Sequence, residues 1–462
     1  MKHISTICAI ATPPGTGAIS IIRLSGPKSF SIASRLFRSS KNKEIIKKPN
    51  RVHFGYIFYK NQTIDEVLIT FFKGPNSYTG EDVVEISCHG SHFIQQQIME
   101  ILIECGARVA EPGEFTLRAF LNSKMDLSQA ESVADLINSR NKAFHDAAIN
   151  QMRGGFSNEI KILRSKLLEF VSLIELELDF SEEDVEFADR KSLLIQVKTI
   201  HKIIKQLIDS FKYGNVIKNG ISVAIVGKPN AGKSTLLNTL LNEEKAIVSE
   251  IPGTTRDVIE DTINIKGILF RFIDTAGIRR PEDKLESLGI ERTYENIKKA
   301  SIIMLIIDPG DNPNNIEKQI NSLDLSKEQK LVILINKIDL FDKKLLDTNY
   351  KTLISTLNYP IILISAKKKI NVEEIINYLV TMTKYNHQLY NDIIITNVRH
   401  FDSLKNTYVA GERVIAGLQN NISKDLLSQD VREMIHHLGS ITGEITTEEV
   451  LGNIFKNFCI GK

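Results

Sequence analysis

Apolar residues follow different spacings in different parts of the chain. In residues 1–120, short runs alternate apolar and polar positions, a two-residue period that predicts strands at 55–59, 66–72 and 82–87. Segments containing Gly and Pro, at 12–17 and 74–80, predict turns between such runs. The first part of the chain is therefore predicted to be a mixed α+β domain.

Helical spacing replaces this pattern from about residue 120 to residue 213. Apolar side chains recur every three or four positions, which is typical of helices that bury one face. They are Ala130, Val133, Ala134 and Ile137 in one stretch and Leu163, Leu167, Phe170, Val171 and Ile174 in another. Gly and Pro are almost absent here apart from Gly154 and Gly155, so long helices are predicted, and the same spacing returns after residue 383.

Residues 217–382 alternate apolar strands with helical segments. Strands are predicted at 221–226, 269–274, 302–308 and 331–336, an order typical of a doubly wound, mostly parallel α/β sheet. Because the ends of an inserted domain tend to lie close together, we interpret this part as an α/β domain inserted into an all-α helical domain. The predicted boundaries are 1–120 for the α+β domain, 121–216 and 383–462 for the two halves of the helical domain, and 217–382 for the insertion.

Composition narrows the class of protein only slightly. The chain has 462 residues, of which 42% are hydrophobic and 25% charged, and its formal charge of +2 neither supports nor excludes a nucleic-acid partner. A surface that binds nucleic acid would have to be a basic patch on one part of the molecule. Four scattered cysteines without a Cys-x-x-Cys pair indicate a reducing compartment. Since an uninterrupted apolar run of membrane-spanning length is missing, we expect a cytoplasmic protein without a membrane partner.

The string Gly-Lys-Pro-Asn-Ala-Gly-Lys-Ser at 227–234 has the form of a phosphate-binding P-loop. It follows an apolar strand and precedes the helical run 235–241, which is the context that this motif requires. Backbone N–H groups and a helix N-terminus are predicted to face the phosphates, Lys233 to reach the β- and γ-phosphates, and Ser234 to bind Mg²⁺. The predicted contacts are Asn230, Ala231, Gly232, Lys233, Ser234 and Thr235.

Two further strings fit the switch regions of nucleotide hydrolases. Asp-Thr-Ala-Gly at 274–277 follows a strand, where Asp274 can hold the magnesium shell and Gly277 can offer its N–H to the γ-phosphate. Gly-Thr-Thr-Arg-Asp at 253–257 is a candidate first switch, with Thr255 as a second hydroxyl ligand of Mg²⁺. The nucleotide contacts predicted from these strings include Thr255, Asp274, Thr275, Ala276 and Gly277.

The base is predicted to be guanine. Asn-Lys-Ile-Asp at 336–339 ends another apolar strand, and Asp339 can accept the two neighbouring donors that guanine presents and adenine lacks. Charge-assisted hydrogen bonds of about 1.5–3 kcal/mol each are sufficient for this discrimination. Ser365, Ala366 and Lys367 supply a second loop, with the Ala366 N–H directed at the guanine carbonyl. Together with Asn336 and Lys337, these residues predict GTP as the substrate.

One position departs from the Ras-like pattern. The glutamine that orients the attacking water in such enzymes follows the second-switch glycine, and here that position is Ile278. An apolar side chain cannot orient water, so hydrolysis is either negligible or depends on another residue. Nearby acidic candidates are Glu282, Asp283 and Glu286.

Strings along the whole chain resemble the MnmE (TrmE) family of tRNA-modification GTPases. Besides the P-loop with Asn230 and the 253–257 string, they are Ala-Thr-Pro-Pro-Gly at 11–15, Arg-Leu-Ser-Gly at 23–26, Tyr-Thr-Gly-Glu-Asp-Val-Val-Glu at 78–85, Lys-Met-Asp-Leu-Ser-Gln-Ala-Glu at 124–131 and Cys-Ile-Gly-Lys at 459–462. They occur in the family's domain order, so the resemblance is more specific than a P-loop alone.

The resemblance implies a potassium-dependent GTPase that is a homodimer. Its amino-terminal domain, 1–120, would be the tetrahydrofolate-binding and dimerisation domain, and its two G domains would meet across their switches. Glu286 matches the family's water-orienting glutamate and joins Lys233 as a catalytic residue. The positions matching the potassium ligands are Asn230, Ser249, Ile251 and Thr254, of which Ser249 and Thr254 also belong to the nucleotide site. Such a cation would take the place of an arginine finger. Arg256 and Arg279 are the alternative fingers in this sequence.

The resemblance also implies a folate site in the amino-terminal domain. Arg23, Glu85, Lys124 and Lys462 match the residues that contact a tetrahydrofolate derivative, in its 5-formyl or methylene form. Cations suit the glutamate tail of a folate, and a carboxylate suits the donor edge of its pterin. In the family the 459–462 string lies beside the folate, so Cys459 is a candidate catalytic or positioning residue.

The function implied is a GTPase that modifies carbon 5 of the wobble uridine in certain tRNAs. The group added would be carboxymethylaminomethyl or aminomethyl, and the partner an FAD-containing protein of the MnmG (GidA) type in a heterotetramer. Two rivals stay open at this point. One is an Era-like ribosome-assembly GTPase, and the other is a folate-dependent methyltransferase with a regulatory GTPase domain.

Overall fold

A computed structural model describes residues 5–40, 49–179, 190–243, 261–273, 297–310, 314–326, 328–341, 359–382, 393–420, 422–456, 458–459 and 461. The chain divides into two compact units. The first comprises residues 1–138, 148–204 and 402–462, and the second comprises 139–147 and 205–401. Each unit is described by itself below.

The amino-terminal part of the first unit is built on a seven-stranded sheet. Its strands are β1 (Ile7–Ile10), β2 (Gly17–Ser25), β3 (Phe37–Ser39), β4 (Val52–Tyr59), β5 (Gln62–Phe72), β6 (Val83–Gly90) and β7 (Arg108–Val109). They lie in the order β3-β4-β5-β6-β2-β1-β7, and only the β1–β7 pair is parallel. The helices α1 (Ser29–Leu36), α2 (His92–Glu104) and α3 (Glu114–Leu121) accompany the sheet. Side chains of α1 and α2 and of the long strands form one apolar core.

Four long helices follow this sheet: α4 (Leu127–Ile137), α5 (Lys142–Met152), α6 (Gly155–Asp179) and α7 (Arg190–Asn219). Helix α4 begins at a capping box, in which Asp126 accepts from the Gln129 N–H and Gln129 accepts from the Asp126 N–H. In α6 the predicted apolar positions are all buried, which confirms the helical reading of this stretch.

The second unit contains a six-stranded sheet with both faces covered. Strands β8 (Ile221–Val226), β9 (Asp261–Ile265), β10 (Ile268–Phe272), β11 (Ile302–Ile307), β12 (Lys330–Ile335) and β13 (Ile361–Leu363) lie in the order β13-β12-β11-β8-β10-β9. Every pairing except β9–β10 is parallel. Successive residues of β8 and β11 enter different apolar clusters, one with α8 (Lys233–Glu243) and α10 (Val372–Met382), the other with α9 (Asn314–Ser322). Burial on both faces explains why these strands are continuous apolar runs.

The described residues from 393 onward include the helices α11 (Val398–Asn420), α12 (Lys424–Thr442) and α13 (Glu448–Phe455). Helix α12 packs along α6, and α13 packs against α3. Among the described residues, helices long and apolar enough to cross a membrane are not found.

The predicted arrangement of element types is confirmed. The predicted strands 221–226, 302–308 and 331–336 correspond to β8, β11 and β12, and 55–59, 66–72 and 82–87 fall within or largely within β4, β5 and β6. The strand predicted at 269–274 corresponds to β10, apart from residue 274, which lies outside the described residues. The boundaries 120, 216 and 382 remain predictions.

Candidate functional site

The predicted nucleotide-binding residues that fall in the described part of the chain gather at one edge of the second sheet. The P-loop follows β8, Asn336 follows β12 and Ser365 lies just past β13. Asp308, for which the sequence predicted no role, follows β11 at the same edge. These strands are parallel, so their carboxyl ends meet at the same edge, where ligands of open α/β sheets bind.

Two glycines let the P-loop pass close to its neighbours. A Cβ on Gly227 would lie 2.4 Å from the carbonyl oxygen of Ile306 on β11. Gly232 has a φ of +103°, and a Cβ there would lie 2.1 Å from the side-chain nitrogen of Asn336. Larger residues at these two positions would push the loop off the sheet edge.

Lys233 begins α8 and turns its side chain back over the loop. Its Nζ donates to the carbonyl oxygens of Gly227, at 2.6 Å, and Lys228, at 2.9 Å. Burial lowers the pKa of Lys233 from its usual value. An ammonium held inside the phosphate loop is the arrangement predicted for contact with the β- and γ-phosphates.

Asn336 joins the phosphate loop to the base-binding loop. It is buried, its Nδ2 donates to the carbonyl oxygen of Ala231 at 2.8 Å, and its Oδ1 accepts from the N–H of Ala366 at 2.9 Å. The contact of the Ala366 N–H with the guanine carbonyl stays a prediction; in this structure that N–H donates to Asn336. Buried Thr239 of α8 adds a further tie, because its hydroxyl donates to the Ala366 carbonyl at 3.0 Å.

Asp339 is oriented by a buried serine. The Ser365 hydroxyl donates to Asp339 Oδ1 at 2.6 Å, while the backbone of Ser365 forms an antiparallel bridge with Ile370. Asp339 itself is exposed, so a base can reach its carboxylate. Ser365 therefore fixes the acceptor that was predicted to read guanine.

Lys337 reaches across to the end of the neighbouring strand. Its Nζ lies 2.7 Å from Asp308 Oδ2, and its φ of +63° places it in the left-handed region. Partial burial raises the pKa of Asp308, but hydrogen bonds from Lys337 and the Gly310 N–H outweigh it and leave the pKa below its usual value. The pair closes the base-binding end of the site.

The first turn of α8 carries groups that could hold cations. Ser234 and Thr235 are exposed there, and Asn230 is exposed on the loop with a φ of +63°. A hydroxyl oxygen and an amide oxygen beside a phosphate-binding loop suit Mg²⁺ and a larger alkali cation respectively. Lys367 is also exposed, at the outer end of the base loop. The other predicted nucleotide, metal and catalytic residues lie outside the described residues; they are Ser249, Ile251, Thr254, Thr255, Asp274, Thr275, Ala276, Gly277 and Glu286.

A second polar cluster lies on the first sheet. Arg23 of β2 and Glu85 of β6 stand opposite each other in register, and the Arg23 Nε and Nη2 lie 2.9 and 2.8 Å from Glu85 Oε1. The guanidinium also lies 5.3 Å from the ring centroid of Tyr78 and 5.7 Å from that of Phe115. The ion pair is thus held against aromatic rings, of which Phe115 was not identified from the sequence.

The loop at 74–81 connects this pair to Lys124. Lys124 Nζ donates to the Pro75 carbonyl at 2.9 Å, and a Cβ on Gly80 would lie 3.3 Å from the Lys124 side chain. Tyr78 on the same loop faces Arg23, and its hydroxyl is bonded to Thr116. Of the four predicted folate contacts, Arg23 and Glu85 therefore bond each other and Lys124 bonds the 74–81 loop. Lys462 lies outside the described residues.

Two residues of the 459–462 string, Cys459 and Gly461, contact the amino-terminal domain. Arg23 Nη1 donates to the Gly461 carbonyl at 3.2 Å, and the Gly113 N–H donates to the Cys459 carbonyl at 3.4 Å. Cys459 is exposed, whereas burial raises the pKa of the Cys8 and Cys88 thiols to about 11. Of these three thiols, only that of Cys459 is accessible for chemistry.

A P-loop joined by a buried asparagine to a guanine-type loop defines a guanine-nucleotide-binding protein of the P-loop class. Its additional domains match known families along almost the whole chain. Residues 6–124 match the family model of the GTP-binding protein TrmE N-terminus, and residues 127–459 match that of the MnmE helical domain. The chain belongs to the MnmE (TrmE) family.

Full-length relatives agree with this assignment. The chain is 52% identical to the tRNA modification GTPase MnmE of Flavobacterium johnsoniae, covering 100% of both chains. It is 53% identical to that of Bacteroides thetaiotaomicron, covering 99% of both. Among solved structures, the G domain of the T. maritima FeoB iron transporter matches 36% of this chain and 99% of its own, at 22% identity. Its TM-score of 0.27 is too low to support an inference.

Replacing Asn336 with alanine should weaken GTP binding. The change leaves the Ala231 carbonyl and the Ala366 N–H without their buried partner, at a cost of about 1–3 kcal/mol for each group. We expect the dissociation constant of a fluorescent GTP analogue to rise by at least about tenfold. Asn377→Ala is the control, because Asn377 is exposed on α10 of the same unit and its side chain accepts a hydrogen bond from the surface residue Lys266. Equal affinities of the two variants would contradict the bridging role.

Proposed function

We propose that this tRNA modification GTPase adds a carboxymethylaminomethyl or aminomethyl group to carbon 5 of the wobble uridine in certain tRNAs. It would act as a homodimer with an FAD-containing partner of the MnmG (GidA) type. The observation that carries the proposal is the full-length identity of 51–53% to relatives named tRNA modification GTPase MnmE. The same chain contains both the predicted guanine-binding residues at 336–339 and the Arg23–Glu85 cluster, and this combination also supports the proposal.

The decisive measurement is the wobble uridine of tRNA from cells that lack this protein. We expect the 5-substituent to be lost and to return when the gene is restored. Mass spectrometry of digested tRNA measures it directly. A ribosomal-subunit defect with normal tRNA would favour an Era-like assembly GTPase instead. Loss of a single methyl group, with the aminomethyl-type group intact, would favour a folate-dependent methyltransferase with a regulatory GTPase.

GTP hydrolysis is proposed to depend on potassium. Ile278 stands where Ras-like enzymes place a water-orienting glutamine, so the missing groups must come from elsewhere. Asn230, exposed on the P-loop, would hold the cation together with Ser249, Ile251 and Thr254, and Glu286 would orient the water. The cation would supply positive charge at the phosphates, where an arginine finger contributes about 10³–10⁵ in rate. Hydrolysis would drive opening and closing of the paired G domains rather than the uridine chemistry.

Potassium should accelerate GTP turnover by at least about tenfold over sodium at equal ionic strength, since K⁺ would replace part of an arginine finger. Asn230→Ala should remove most of this difference. Glu286→Ala should lower turnover in both salts while GTP affinity stays within about threefold of the parent. Glu317→Ala, a change of an exposed glutamate on α9, is the matched control. Equal turnover of the parent protein in K⁺ and Na⁺ would exclude the mechanism.

A tetrahydrofolate derivative is proposed to bind at the Arg23–Glu85 cluster. The chemistry of the described residues fits this group: a guanidinium suits its carboxylates, a carboxylate suits the donor edge of its pterin, and Tyr78 and Phe115 offer ring surface. Lys124 and Lys462 would add positive charge. The folate supplies a one-carbon unit when bound. The residues of this chain would orient it, with Cys459 beside it as a catalytic or positioning residue.

Arg23→Gln should weaken binding of 5-formyltetrahydrofolate by about 10- to 100-fold, because a charge-assisted hydrogen bond of about 1.5–3 kcal/mol is lost. Isothermal titration calorimetry measures this change. Arg38→Gln, which changes an exposed residue on β3 of the same sheet, should leave the affinity unchanged. GTP hydrolysis by both variants should match the parent. Unchanged folate affinity in Arg23→Gln would contradict the assigned site.

A further inference from the structure

Asp308 is a carboxylate at the predicted base-binding end of the nucleotide site. It comes directly after β11, at the sheet edge where Asn336 also lies. Each of its oxygens accepts a hydrogen bond: Oδ1 from the Gly310 N–H at 3.0 Å, and Oδ2 from Lys337 Nζ at 2.7 Å. The backbone turn after β11 therefore fixes the carboxylate, and the carboxylate in turn fixes the lysine ammonium.

The backbone of Lys337 is held in an uncommon conformation. Its φ of +63° and ψ of 30° lie in the left-handed region, which is unfavourable for a residue with a side chain. Lys337 lies between Asn336, which bonds both nucleotide loops, and the 3-10 helix Ile338–Leu340, which contains Asp339. Residues in such conformations persist where surrounding contacts hold them, and they are frequent at ligand sites. The placement of the Lys337 side chain therefore bears on the predicted base site.

The ammonium of Lys337 has two carboxylates in its sequence neighbourhood or across the sheet edge, and the structure shows which one it uses. It pairs with Asp308. Asp339, two positions after Lys337, is the predicted acceptor for guanine, and its Oδ1 accepts from the Ser365 hydroxyl. Since a lysine ammonium on its flexible stem can pair with different carboxylates, an ammonium bound to Asp339 would compete there with the donors of guanine.

The Lys337–Asp308 pair can be removed without unfolding the domain. The two side chains are 33% and 32% exposed, and ion pairs so open to water contribute little to stability. The pair matters more for binding. A ligand that meets a side chain already in place does not have to order it, so an ordered Lys337 lowers the cost of binding the nucleotide.

We propose that Asp308 is a positioning residue for guanine-nucleotide binding. It holds the Lys337 ammonium at the end of β11 and so leaves the Asp339 carboxylate to the base. The inference rests on the predicted guanine site and adds to it a residue that acts through Lys337. Because contacts to the base are made equally in the ground state and the transition state, Asp308 should act on the affinity for GTP.

The test is a set of variants of the full chain: D308A, K337M and D308A/K337M. Methionine keeps an unbranched side chain but has no N–H donor. We expect the dissociation constant of a fluorescent GTP analogue to rise by about three- to tenfold in D308A, since the charge-assisted bond that orders Lys337 is lost. The double variant should lie within about twofold of K337M, because the two residues act through one contact. Turnover of D308A at saturating GTP should stay within about twofold of the parent.

D308N provides a conservative variant, because it keeps one oxygen for the two donors, and its affinity should lie between those of the parent and D308A. D209A is the matched control. It removes the same charge and breaks a similar pair, in which Asp209 Oδ1 lies 3.1 Å from Lys205 Nζ in the same unit. Its GTP affinity should stay within about twofold of the parent. Circular dichroism and thermal unfolding check that every variant is folded.

Four results would each overturn the inference: unchanged affinity in D308A, an equal loss in D209A, effects of D308A and K337M that multiply in the double variant, or a loss of turnover without a loss of affinity. Asn336→Ala separates this failure from failure of the guanine site. If Asn336→Ala weakens GTP binding and D308A does not, the site stands and the role of Asp308 is wrong. If neither variant weakens binding, both are wrong. The wobble-uridine measurement decides the proposed function separately.

Discussion

The nucleotide site depends on one buried amide. Asn336 accepts from the base-binding loop with its oxygen and donates to the phosphate loop with its nitrogen, so both loops keep a fixed separation. The close approach is possible only because residue 232 is glycine. Such a buried amide stabilises the folded protein mainly because it leaves no buried polar group without a hydrogen-bond partner. The net stabilisation from the hydrogen bonds themselves is smaller. The geometry of the guanine site is therefore set by packing at the sheet edge before any ligand binds.

Buried ion pairs hold the loop beside the Arg23–Glu85 cluster in place. Arg118 is almost fully buried, and its guanidinium contacts Glu81, at 3.0 Å, and Glu114, at 2.9 Å. Burial raises the pKa of Glu114, yet hydrogen bonds from Arg108, the Glu111 N–H and Arg118 lower it to about 2, so this carboxylate stays ionised. Glu81 also accepts from Ser25 on β2. The loop that carries Tyr78 is thereby tied to the strand that carries Arg23, and removing one partner of such a buried pair costs about 3–5 kcal/mol.

Local sequence patterns predicted those strands, turns and helices whose formation depends mainly on residues close together in the chain. The strand β8, the P-loop and α8 could be predicted because each has its own local pattern, either a spacing of apolar residues or a set of turn residues. The hydrogen bond from Asn336 to Ala231 joins residues 105 positions apart. The sequence around each of these residues contains no local pattern that predicts this bond. Thr239 and Phe115 were missed for the same reason. Arg23 and Glu85, 62 positions apart, were identified only through the family resemblance, and their pairing in register is a property of the sheet.

Recognition of GTP and its hydrolysis are assigned to different parts of this G domain. The described residues Asn336, Asp339 and Ser365 are the predicted base-binding residues, and Lys233 is the predicted phosphate-binding residue. The candidate groups for the chemical step lie in other segments, at 249–255 and 274–286. Binding energy at the base is made equally in the ground state and the transition state, so it sets affinity without accelerating hydrolysis. Changes at Asn336 should therefore act mainly on affinity and changes at Glu286 on turnover, which makes the two roles separable by kinetics.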